Sequence, residues 1–327
     1  MDFLNRIDRF LSGRLAWFSL GAMALSIAFP AVFSRLSPLT FGLFAFVTFA
    51  SSLGGGFTQV GQVLFRPLPI LCVFALQHAV LPLIALCLGR LAFPGDPDFV
   101  TGLVLQCAIP SAVMSLMWVA VSGGNTVLSL VIVLLDTLLS PVVIPLTLKL
   151  LLGSTVEMDG VGIMVNLLVM VALPAFLAMC CHQFSHGRVS KTVQPVLAPF
   201  SKLALILVML ANTAGVADYI RHMTRRLLLV VFLGLLIMVI GFLAAFLAVL
   251  LLRPSYPDGV CILLNTGLRN VNVGVVLAVT YFSTDVLFPV IVCAMSMHVL
   301  AATSVALFRR TKYARSAAGR EFPAARS

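Results

Sequence analysis

Apolar runs of about 18 to 25 residues recur along this chain, each long enough to cross a bilayer. Hydrocarbon offers no partner to a free backbone N–H or C=O, so such runs are confined to helices whose hydrogen bonds close within the segment. The balance of the chain agrees: 61% of its 327 residues are hydrophobic and 10% are charged, where a soluble domain would have about a quarter charged. The sequence therefore predicts an all-α polytopic membrane protein. The net charge of +10 does not point to nucleic acid, because the basic residues lie at segment ends and in the C-terminal tail, not on one face interleaved with aromatics.

Ten spans are expected, near 15–33, 39–57, 68–91, 99–122, 126–152, 160–181, 196–217, 227–252, 258–282 and 286–308. Short connections rich in turn residues separate them, such as Pro94-Gly95-Asp96-Pro97 and Gly123-Gly124-Asn125. Residues 1–14 read as an amphipathic helix in the membrane interface, with Phe3, Leu4, Ile7, Phe10 and Leu11 on one face. Residues 309–327 read as a basic, disordered cytoplasmic tail able to touch anionic headgroups. With an even number of spans both termini share a side. That side holds thirteen Lys and Arg against six on the other, which predicts cytoplasmic termini. No transit or sorting signal is evident, so a bacterial inner membrane is the expected location. Five spans per half imply two inverted repeats, 15–152 and 153–308.

Two of these spans are interrupted. One carries Gln106-Cys107-Ala108-Ile109-Pro110-Ser111 at its middle, the other Asn265-Thr266-Gly267-Leu268-Arg269-Asn270-Val271-Asn272. They occupy the fourth position of each half. Matched broken helices are the usual place for a transporter's binding site, since unwound backbone is tolerated only where protein or a cavity receives it.

Ionisable groups inside spans are costly and default to functional candidates. Asp136 is the only acid deep in a span and Arg269 the only base. A fixed cation in a broken span suits an anionic substrate. A buried charge seldom stands alone, so the expected partner of Arg269 is Asp136, which is also a candidate protonatable group. Gln77 and His78 precede Pro82, and Ser129, Val133 and Asp136 share one helical face. The candidate substrate- and ion-binding set is Gln77, His78, Ser111, Ser115, Ser129, Asp136, Asn265, Thr266, Arg269, Asn270 and Asn272. No catalytic constellation is evident. Neither the seven cysteines nor His182-x3-His186 is expected to hold a metal or a disulfide.

At this point the chain resembles the bile acid:sodium symporter family. The marks are Leu53-Gly54-Gly55-Gly56, Gln77 with Pro82, Pro110, Gly124-Asn125 leading to Leu128-Ser129, Ser140-Pro141, and Gly267 with Asn270. The resemblance implies a panel domain of spans 1, 2, 6 and 7 and a core domain of spans 3–5 and 8–10. It further implies that spans 4 and 9 cross where they unwind, and that organic anions are carried by alternating access, usually with sodium. Mapped onto the family's sodium positions, Gln77, Ser115 and Ser129 are kept. The family's Asn after that first Ser is Leu116, its hydroxyl one turn beyond the second is Val133, its Glu is Asn265 and its Gln is Arg269. The shared acid is gone and a cation stands beside the site. Two charges at about 4–5 Å repel by about 3–4 kcal/mol at an effective dielectric near 20, which argues against the usual two-sodium coupling.

The expectation is thus a secondary transporter of a small organic anion (bile-acid-like, sulfated steroid or carboxylate). It would be proton-coupled or uncoupled, with no cofactor and no nucleic-acid partner, and monomeric or homodimeric in lipid. A non-transporting sensor on the same fold is the alternative.

Overall fold

The computed structural model describes residue 18, residues 21–64, 67–153 and 159–311, and residue 313. The expected interfacial helix at 1–14 and almost all of the tail lie outside the described residues. Apart from one two-residue β-bridge, the regular structure described is helical.

A first helical stretch, α1, covers 21–28 and bends at Phe29-Pro30. It is followed by α2 (Ser37–Ser52), α3 (Pro67–Ala92), α4 (Pro97–Ala108), α5 (Met114–Val121), α6 (Thr126–Leu152) and α7 (Gly160–Phe184). After these come α8 (Gln194–Ala214), α9 (Arg225–Leu252), α10 (Tyr256–Gly267), α11 (Val271–Tyr281) and α12 (Thr284–Arg310). Seven helices among the described residues are long and apolar enough to cross a membrane. The apolar faces turned outward carry large side chains such as Leu71, Val142, Leu150, Leu247 and Val299, as a lipid-facing surface requires.

The expected breaks are real. The first interrupted span divides into α4 and α5, the second into α10 and α11. Ile109 is extended (φ −65°, ψ 148°) because the ring of Pro110 disfavours the helical region for the residue before it. Leu268 is likewise extended at φ −94°, ψ 118°. Gly267 is fixed by packing: a Cβ there would sit 2.2 Å from the Phe242 ring of α9.

Two groupings stand out in the packing. Helix α2 lies against α7 and α8, and Ser26 of α1 donates to the Leu210 carbonyl of α8 at 2.6 Å. Helix α4 lies against α3 and α12, α9 against α10 and α12, and α11 against α12. The glycine run after α2 lies close against α6: a Cβ on Gly55 would lie 2.7 Å from Leu134. Helices α3 and α7 each contain one π-turn, Leu76–Val80 and Leu168–Ala172. Each is followed at once by Leu-Pro (Pro82, Pro174), whose missing N–H and bulky ring break the regular ladder one turn back.

Candidate functional site

The site is built where the two broken spans meet. Ala112 N–H donates to the Leu268 carbonyl (3.0 Å) and Asn270 N–H to the Pro110 carbonyl (2.7 Å). Ser111 and Arg269 thereby face each other in an antiparallel bridge. Two residues of sheet thus satisfy backbone groups that unwinding left free at the centre of an apolar protein. Four helix ends converge here: the C-termini of α4 and α10, and the N-termini of α5 and α11, whose positive dipole ends favour negative charge.

A polar network fills one side of the crossing. From α3, Gln77 donates through Nε2 to Ser111 Oγ (2.9 Å) and to the Asn265 carbonyl (3.1 Å). Asn265 Oδ1 accepts from Ser115 Oγ (2.7 Å) and Ser129 Oγ (3.2 Å). Its Nδ2 donates to Ser129 Oγ and to the Cys261 carbonyl, each at 2.9 Å. All five side chains are buried. The π-turn matters because it sets the phase of α3 so that Gln77 reaches Ser111 while its neighbour His78 reaches α6.

That neighbour corrects one expectation. Asp136 does not pair with Arg269. Its Oδ1 lies 2.8 Å from His78 Nε2, and its Oδ2 accepts the backbone N–H of Ser111 at 2.7 Å. The physical reason is access: Ser111 N–H points away from the bridge toward α6, and the His78 ring fills the remaining approach from α3. With Asp136 ionised, both of its oxygens accept.

Arg269 is 4% exposed. Its Nη1 donates to the Ile109 carbonyl at 3.4 Å, and Nη2 has no protein partner. Among the described residues no carboxylate lies within 4.0 Å of it. A buried guanidinium with one weak hydrogen bond and no carboxylate in contact has donors to spare, and it marks a place where an anion gains.

The other candidates are placed less tightly. Thr266 is buried with an unpartnered Oγ1. Asn270 and Asn272 are half-buried, and no side-chain hydrogen bond from either is found among the described residues. Sequence reasoning passed over Gln106. It is 2% exposed, neither polar atom of its amide has a partner, and it lies one turn before the Ile109 carbonyl that holds Arg269. The available signal was a lone amide in the apolar run of α4. His182, read only as one half of a loop pair, turns its Nδ1 to the Leu53 carbonyl at 2.9 Å beside the glycine run. Further out, Asn125 caps α6 through Leu128 N–H (3.0 Å) and donates to Asp258 Oδ1 of α10 at 2.8 Å. This fixes the Gly124-Asn125 turn against the start of the second broken span.

Residues 40–223 match the model of the sodium bile acid symporter family. Among curated proteins, the uncharacterized protein YbaS of Bacillus subtilis is 38% identical over 260 residues, covering 80% of this chain and 85% of that protein. The uncharacterized sodium-dependent transporter YocS of the same organism is 24% identical over 284 residues, 86% of this chain and 87% of that protein. The probable sodium/metabolite cotransporter BASS1 of Arabidopsis thaliana, a chloroplast protein, is 25% identical over 300 residues, 90% of this chain and 73% of that protein.

Proposed function

The chain belongs to the sodium bile acid symporter family, a family of membrane transporters, and from that premise we propose that it moves a small organic anion across a bacterial inner membrane without coupling to sodium. In this reading the ten spans form two inverted repeats, the termini are cytoplasmic, and α1, α2, α7 and α8 make up a panel. That panel shifts against a core containing the crossed helices. Substrate enters between the two and reaches the crossing from the side of Arg269.

The observation that carries the proposal is the buried Arg269 at the crossing, whose Nη2 has no protein partner. An anion is the ligand whose binding this residue favours most, because it supplies a contacting acceptor and opposite charge in a medium of low dielectric. The residues present do not fit sodium well. Ser115 Oγ, Ser129 Oγ and the Asn265 amide are hydrogen-bonded to one another, and the network contains no carboxylate. A sodium ion would have to break these bonds and accept a nearby fixed positive charge. Arg269 is a tethered cation in its stead.

A thermal-stability screen of purified protein against carboxylates, sulfonated bile acids and sulfated steroids, with and without sodium, tests the proposal. Stabilisation by an anion in sodium-free buffer is expected. Stabilisation that appears only with sodium contradicts it. Flux of the same compound in proteoliposomes separates transport from binding alone.

A further inference from the structure

Asp136 and Arg269 are the only buried charged side chains among the described residues, and their charges cancel when His78 is neutral. With Asp136 ionised, one of its oxygens accepts from Ser111 N–H and the other from His78, an arrangement that calls for the imidazole proton on Nε2. The lone pair of Nδ1 is then left buried and unpartnered. The His78 side chain is 10% exposed. A basic nitrogen whose lone pair has no donor, on a ring already held by a carboxylate, is a candidate proton-binding site.

Few other titratable side chains surround the pair. Of the elements packed against the π-turn, α6 brings Asp136 and α4 brings Cys107. Helix α3 itself carries Cys72 and Cys87, with Arg90 at its far end. Helix α9 has no titratable side chain between Arg226 and Arg253. Across the crossing stand Cys261 and Arg269. The buried charges in this group are those of Asp136 and Arg269, with His78 between α3 and Asp136 as the titratable partner in contact.

An anion arriving at Arg269 leaves this buried group with one negative charge in excess. A proton on His78 Nδ1 cancels it. Resting on the anion-transport reading above, we propose that the His78–Asp136 pair is the coupling-ion site: it binds one proton for each negative charge bound at Arg269, and the permeant unit is proton plus monoanion. The link is one residue long, since Ser111 gives its N–H to Asp136 and faces Arg269 in the bridge.

Two measurements on the full chain test this. The first needs no ligand: nitrogen-15 NMR of histidine-labelled protein, with the His78 ring assigned by its loss in His78→Gln. The expected result is a ring that carries one proton on Nε2 and accepts a second on Nδ1 when the sample is acidified. A ring that keeps one state throughout overturns the proposal. The second uses taurocholate, whose sulfonate stays ionised on acidification. Its affinity is expected to rise about tenfold per pH unit lowered until the site is filled, with uptake of one proton per taurocholate bound. In His78→Gln, which keeps a donor to Asp136, both the pH dependence and the proton uptake are expected to vanish. Taurocholate affinity that ignores pH in the native protein overturns the coupling while leaving anion transport standing. Failure of taurocholate to bind at any pH overturns the anion reading and the coupling with it, and the NMR titration still decides whether His78 takes a proton.

Discussion

Arg269 and Asn265 both stand where the two broken spans meet, and the effects of changing them can be stated separately. Arg269 is the buried cation at the crossing, so Arg269→Met is expected to abolish stabilisation by anions. Thermal unfolding with and without taurocholate measures this, and a variant still stabilised by taurocholate would contradict the role. Asn265 acts through stability instead. Its amide satisfies Ser115, Ser129 and Cys261 at once, so Asn265→Ala leaves buried hydroxyls unpaired. The expected cost is about 1–3 kcal/mol, read as a lowered midpoint of thermal unfolding.

At the scale of helices, the breaks depend on two devices. Gly267 lets the Phe242 ring lie against the end of α10. Gly267→Ala forces a Cβ into that ring, with an expected loss of about 1–3 kcal/mol in thermal unfolding and reduced uptake. The second device is the π-turn before Pro82. Pro82→Ala restores the missing N–H and lets α3 relax toward a regular helix. Gln77 and His78 then rotate away from Ser111 and Asp136. The variant is expected to fold at least as stably as the native chain and to transport poorly, a combination read by thermal unfolding beside uptake. These elements also show what the sequence made legible. The interruptions at Pro110 and Gly267 could be read because Pro, Gly, Asn and Arg have no reason to stand at the centre of a lipid-facing run. The gathering of Gln77, Ser115, Ser129 and Asn265 followed from the resemblance. The partner of Asp136 could not be read. Choosing between His78 and Arg269 depends on the phase of α3, and one π-turn shifts that phase without altering the hydropathy pattern. Gln106 was missed for a similar reason, since a single amide in an apolar run looks like any interhelical hydrogen bond until its partners are found wanting.

For the whole molecule, sequence, fold and family agree on a multi-pass membrane transporter. The proposed independence from sodium has a direct check at this scale, in which the pattern implied by the resemblance is rebuilt. The double variant Asn265→Glu with Arg269→Gln restores an acid beside Ser115 and Ser129 and removes the fixed cation. It is expected to acquire sodium-stimulated binding, read as a thermal shift that grows with sodium. The most direct measurement is taurocholate uptake by the native protein in proteoliposomes, compared in sodium and in sodium-free choline buffer at the same pH and ionic strength. Equal uptake in the two buffers is predicted, because Arg269 supplies the positive charge that sodium supplies elsewhere. Uptake that is absent in choline and rises steeply with sodium would contradict the account.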